Sequence, residues 1–156
     1  MIIAHLPAGY ILGHTARTKG VVLGAILLAS VLPDLDMLWF YLVDGRSVHH
    51  HRYWPHVPAF WLAVATLTLP LIAIFKRQWL SAAGLCFAAI LLHLVLDTLV
   101  GDIMWRWPIS NDFVRIATVS PTHSHWLLSF IFHWSFAVEI LICAIALFLL
   151  ILRRKQ

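Results

Sequence analysis

Two aspartates stand close together in Pro33-Asp34-Leu35-Asp36, inside a run of residues 21–43 that is otherwise apolar. A third, Asp97, follows His93 by four residues in another apolar run, so on an α-helix the two share one face, one turn apart. Between these runs lies His49-His50-His51-Arg52-Tyr53-Trp54-Pro55-His56, from whose three consecutive histidines one ligand is expected, and His5 comes near the start. Near the other end are His125, His133 and Glu139, three further candidates. Histidines and carboxylates without thiolates suit a divalent metal used for hydrolysis, zinc first and manganese second. Such ions lower the pKa of water and hold a departing oxyanion. The candidate ligands outnumber what one ion needs, so one to three ions are expected.

The setting of these residues gives them weight. Of 156 residues, 62% are hydrophobic and 12% charged, and the mean hydropathy is +0.87. So few charges cannot cover a water-facing surface of this size, which excludes soluble enzymes, disordered chains and coiled coils. A polytopic membrane protein remains, a single all-α domain over residues 1–156. The net charge of +4 comes from small basic groups between apolar runs, which read as topology signals rather than as a nucleic-acid surface. Cys86 and Cys143 lie within apolar runs and read as packing residues.

Four runs are long enough to span a bilayer, at about 21–43, 57–75, 80–100 and 126–152. Residues 1–16 are apolar but short, predicting a helix that inserts, re-enters or lies at the interface. Arg17 with Lys19, Lys76 with Arg77, and Arg153 with Arg154 and Lys155 all fall on one side of this arrangement. That side is cytoplasmic by the bias of positive loops, as is the C-terminus. The acids and histidines then project to the outer half of the bundle. His125, Ser129 and His133 are expected to step down one helical face, with Glu139 deeper on nearly the same face.

A carboxylate inside a bilayer costs several kcal/mol unless paired or ligated, and no lysine or arginine lies within the expected spans. A divalent cation is one neutraliser. The alternatives are an intramembrane hydrogen bond between His93 and Asp97, a proton or ion path through Asp34 and Asp36, and a haem held by His93 and His133.

Five motifs in order carry a family resemblance: His5 with Gly9; Pro33-Asp34-Leu35-Asp36; His51, Arg52 and His56; His93 with Asp97; and Gly101 followed by Trp107, Pro108 and Ser110. Over residues 5–110 the chain resembles the YdjM-like membrane-bound metal-dependent hydrolases, also described as LexA-binding, inner-membrane-associated hydrolases. It departs from them on either side of His56, where Pro55 replaces the usual threonine and Val57 the serine. The order of motifs is also similar to that of zinc-dependent phospholipases C.

The resemblance implies a bacterial inner-membrane hydrolase of phosphoester bonds, acting on a lipid or lipid-linked substrate. The ligands it implies are His5, Asp34, Asp36, His51, His56, His93 and Asp97, with Asp36 bridging ions or serving as base. Arg52 is the expected phosphate clamp, because its planar fork matches phosphate oxygens. A protein partner is implied by the family description alone. The competing class is a membrane metal- or haem-binding protein without hydrolytic activity.

Overall fold

The computed structural model describes residues 1–45, 47 and 50–154, the side chains of His50 and Arg154 excepted. The helices are α1 (His5–Thr15), α2 (Gly20–Val31), α3 (Asp36–Leu42), α4 (Pro58–Phe75), α5 (Leu80–Asp97), α6 (Trp126–Ile131) and α7 (Trp134–Arg154). Three stretches, Pro58–Phe75, Arg77–Asp97 and Trp134–Arg153, are long and apolar enough to cross a membrane. The pair α2 and α3 makes a fourth if counted as one broken span. The chain is an all-α polytopic bundle with a short additional N-terminal helix.

α4 starts on Pro58, whose missing N–H is no loss at a first helical position. Its outer surface is apolar, with Leu67, Leu71, Ile74 and Phe75 all exposed, a surface suited to lipid. Proline has the opposite effect in the first span. Pro33 has no N–H to continue α2, a short 3-10 turn over Pro33–Leu35 follows, and α3 leaves at 56° to α2. The turn carries Asp34 and opens directly onto Asp36.

α1 has 11 residues, about 16 Å of helix, roughly half of a hydrocarbon core. It packs inside the bundle against α2, α5 and α7. The close approach to α2 needs Gly9: a Cβ there would lie 2.4 Å from Ser30 Oγ. The apolar core joins Ile26 and Ala29 of α2, Trp61 of α4, and Ala89, Ile90 and Leu94 of α5.

The last expected span, 126–152, is broken. α6 stops at Ile131 and α7 begins at Trp134. His133 turns its Nδ1 to Ser135, 3.3 Å from that residue's N–H and 2.8 Å from its Oγ, at the start of α7. His125 caps α6 likewise, its Nδ1 accepting the Leu127 N–H at 3.2 Å. Side-chain acceptors here satisfy N–H groups that have no helical partner. The shared face of His125, Ser129 and His133 therefore does not form.

After α5 the chain folds back over that helix's end. Ile116 and Ala117 donate to the carbonyls of Thr98 and Leu99 at 2.8 and 2.9 Å, and Trp105 Nε1 donates to Thr98 Oγ1 at 2.8 Å.

Candidate metal centre

Asp34, His56, His93 and Asp97 each turn one donor atom to a common point, all four atoms lying within 4.8 Å of one another. Three separate pieces of chain supply them: the turn after α2, the 3-10 turn before α4, and the last turn of α5. His93 Nε2 is 3.1 Å from Asp97 Oδ2 and 3.6 Å from Asp34 Oδ1. His56 Nε2 is 3.6 Å from Asp97 Oδ2 and 3.8 Å from Asp34 Oδ1. Tetrahedral donors around zinc, at bond lengths of roughly 2.0–2.1 Å, stand about 3.3 Å apart.

The opposite ring nitrogens of both histidines are held. His93 Nδ1 lies 2.9 Å from the Ser30 carbonyl, in the last turn of α2, where carbonyls lack helical donors. A carbonyl only accepts, so Nδ1 carries the proton and Nε2 presents a lone pair to the cluster. His56 Nδ1 meets Asp36 Oδ2 at 2.6 Å. Asp36 thus sits behind His56, outside the four converging donors, rather than bridging at the centre.

Among the described residues, His93 Nε2 and Asp97 Oδ2 are buried and have no hydrogen-bond partner. Two acceptors held this close in a dry interior require a shared proton or a cation. The donor set, the spacing and these two atoms fit one divalent metal ion. Asp34, its side chain 40% exposed, forms the open side of a site whose other members are almost wholly buried. Burial by itself lowers the His56 imidazole, but its hydrogen bond to Asp36 and the charges of Asp36 and Asp97 prevail and raise its pKa to about 9.

A second layer gathers on Asp97. His5 Nε2 is 3.1 Å from its Oδ1, which also pairs with the Met1 ammonium. The His5 ring stacks on His93 with centroids 3.7 Å apart. His51 Nε2 stands 3.9 Å from Asp97 Oδ2, and its ring lies 4.6 Å from that of His56. Gly101 makes room for His51: a Cβ there would fall 2.5 Å from its Cε1 and 2.9 Å from the Asp97 carbonyl.

Other sequence candidates lie elsewhere. Arg52 is exposed, its guanidinium 5.5 Å from the Phe113 ring centre, and takes no part in the cluster. His125 and His133 cap α6 and α7. Glu139 is fully buried and accepts the backbone N–H groups of Ile2, Ile3 and Ala4 at 3.0, 2.6 and 3.1 Å, so main-chain donors satisfy it instead of a metal. His49 and the His50 side chain lie outside the described residues. Sequence reading missed the Ser30 carbonyl and the Met1 ammonium, both main-chain groups that no side-chain pattern signals. The room made by Gly101 for His51 was also unread, although its place after Asp97 in the motif order was a signal.

Neither the curated proteins nor the solved structures include a match to this chain. All five motifs behind the family resemblance contribute residues to the cluster or to the contacts around it: His5 and Gly9, the paired aspartates, His51 and His56, His93 with Asp97, and, from the last, Gly101. The YdjM inner membrane protein family matches over residues 1–156, and the chain belongs to that family.

Proposed function

We propose that this protein is a membrane-embedded metal-dependent hydrolase that cleaves a phosphoester bond in a lipid or lipid-linked substrate. The observation that carries the reading is the convergence of Asp34, His56, His93 and Asp97 on one point, with two buried ligand atoms that no hydrogen bond from the described residues meets. A divalent ion held there, zinc by choice of donors, supplies a lowered pKa for water and charge to offset a departing oxyanion. Asp97 offers Oδ2 to His93, His56 and His51 and Oδ1 to His5, an arrangement suited to a second ion.

In hydrolysis a water oxygen bonds to phosphorus, the phosphorus–oxygen bond to the leaving group breaks, and the water's proton passes on to that group. Asp34, at the open side, is placed to accept the proton. Asp36 holds His56 in orientation, and the Ser30 carbonyl does the same for His93.

Support for a lipid substrate comes from a neighbouring cavity of about 510 Å³. Leu35, Trp39, Tyr53, Trp54 and Trp61 line it, and Asp36 joins it to the metal centre. Its aromatic walls suit an acyl or prenyl chain whose phosphate reaches Asp34. The basic groups at Arg17 and Lys19, Lys76 and Arg77, and Arg153 favour a cytoplasmic C-terminus with the metal centre toward the outer face.

Elemental analysis after mild chelation and re-addition of metals tests the reading, with wild type beside Asp97→Ala. One or more zinc or manganese ions per chain, lost in the variant, and phosphate release from lipid phosphoesters are expected. Metal in both proteins alike, or none in either, overturns it.

A further inference from the structure

The end of the bundle remote from the metal centre holds a second concave site. α1 closes there in a tight turn, in which the Thr18 N–H and Oγ1 both bond the Gly13 carbonyl at 2.9 Å and Arg17 adopts a left-handed φ of 56°. α2 then starts at Gly20 with no side-chain cap and no acid in its first turn, so its free N–H groups carry partial positive charge. From 135 residues later in the chain, Arg153 Nη2 donates to the Thr18 carbonyl at 3.1 Å and ties the end of α7 to this turn. Between them lies a cavity of about 680 Å³, lined by His14, Arg17, Thr18, Lys19, Leu149 and Arg153 among others.

Among the described residues, three permanent cations and a histidine line this cavity and no acid does. The bias of positive loops accounts for the sign of each segment but not for residues 17, 19 and 153 meeting in one concavity. Lys76 and Arg77 have the same charge and sit in the α4–α5 connection, yet are not part of it. One wall is apolar: Leu149 and Leu152 line the cavity and continue into the exposed Ile145 and Phe148 of α7. A cationic floor with a greasy flank at the end of membrane helices matches a phosphate head group with its acyl chains lying along the bundle.

We propose that the α1–α2 turn and the end of α7 form a binding site for the phosphate head group of an anionic phospholipid, separate from the metal centre. The same cations would also attract free phosphate, and the apolar α7 wall favours the lipid.

Native mass spectrometry of the detergent-solubilised chain tests the assignment, offering phosphatidylglycerol, phosphatidylcholine of equal chain length, or inorganic phosphate. Wild type should retain one phosphatidylglycerol per chain, about tenfold in preference to phosphatidylcholine. The double variant Arg17→Gln with Lys19→Gln should lose that preference while keeping its helix content and metal, and Lys76→Gln with Arg77→Gln should keep it. Leaving Arg153 in place preserves its tie to Thr18, so loss of binding is not loss of fold. Equal loss in both double variants would reduce the effect to general surface charge and overturn the site. Binding of inorganic phosphate with no phosphatidylglycerol preference would overturn the lipid assignment.

Discussion

His56 and Asp36 are joined through Nδ1 and Oδ2 at 2.6 Å, and this contact aims the other ring nitrogen of His56 at Asp97 and Asp34. Each partner comes from a different side of the polar connection between α3 and α4, so the pair also ties that connection to the bend after α2. Orienting carboxylates of this kind act on ligand affinity without touching the ion.

Asp36→Asn should therefore weaken metal binding by roughly 10–100-fold while leaving helix content unchanged. Competition against a chelator of known affinity measures this. Wild-type affinity in the variant would mean that His56 is oriented by something else.

The raised pKa of His56 sets a pH dependence. At neutral pH the metal-free ring holds a proton that a bound cation must displace, so affinity should climb roughly tenfold per pH unit up to about pH 9 and then level off. The metal-free fold should behave oppositely. A folded-state pKa above the unfolded value of roughly 6.5 contributes stability that is complete below that value and lost as pH rises through about 9. Titration calorimetry and thermal unfolding between pH 6 and 9.5 read the two trends.

Replacing Glu139 with alanine leaves the N–H groups of Ile2, Ile3 and Ala4 without their acceptor in a buried place. We expect a stability loss of about 1–3 kcal/mol. His5 should loosen from Asp97 as well, seen as faster hydrogen exchange in α1 than in α4. Uniform exchange rates in wild type and variant would argue against anchoring by Glu139.

Gly101→Ala tests the packing around His51. Its Cβ would meet His51 Cε1 at 2.5 Å and the Asp97 carbonyl at 2.9 Å, and the backbone oxygen has little freedom to yield. A loss of about 1–3 kcal/mol is expected, together with displaced His51 and weaker metal retention. Gly84→Ala, where the added methyl meets nothing within 4 Å, is the matched control.

The spans were legible because hydropathy measures what the lipid selects, and the middle two runs match α4 and α5 to within a few residues. The bend at Pro33 was legible because proline announces it. The break between α6 and α7 was not: neither Gly nor Pro marks Phe132 and His133, and the histidine that caps α7 reads in a periodic pattern like one more member of a face. Glu139 misled for a related reason. A carboxylate in an apolar run invites a cation, whereas its donors are N–H groups at the far end of the chain, which every residue but proline possesses. Arg52 adjoins His51 in sequence but points to Phe113, since neighbours in an extended or 3-10 stretch need not share a direction.

The acceptor that orients His93 is a main-chain oxygen. No substitution at position 30 can delete it, so the tautomer of this ligand is inherited from the path of α2 rather than from the identity of any one side chain. The vulnerable position is a neighbour that touches no donor atom: a side chain larger than hydrogen at Gly9 would press on Ser30 and disturb the residue whose oxygen holds the imidazole. Position 30 should therefore tolerate loss of its hydroxyl, as in Ser30→Ala, whereas the glycine packed against it should tolerate no side chain at all.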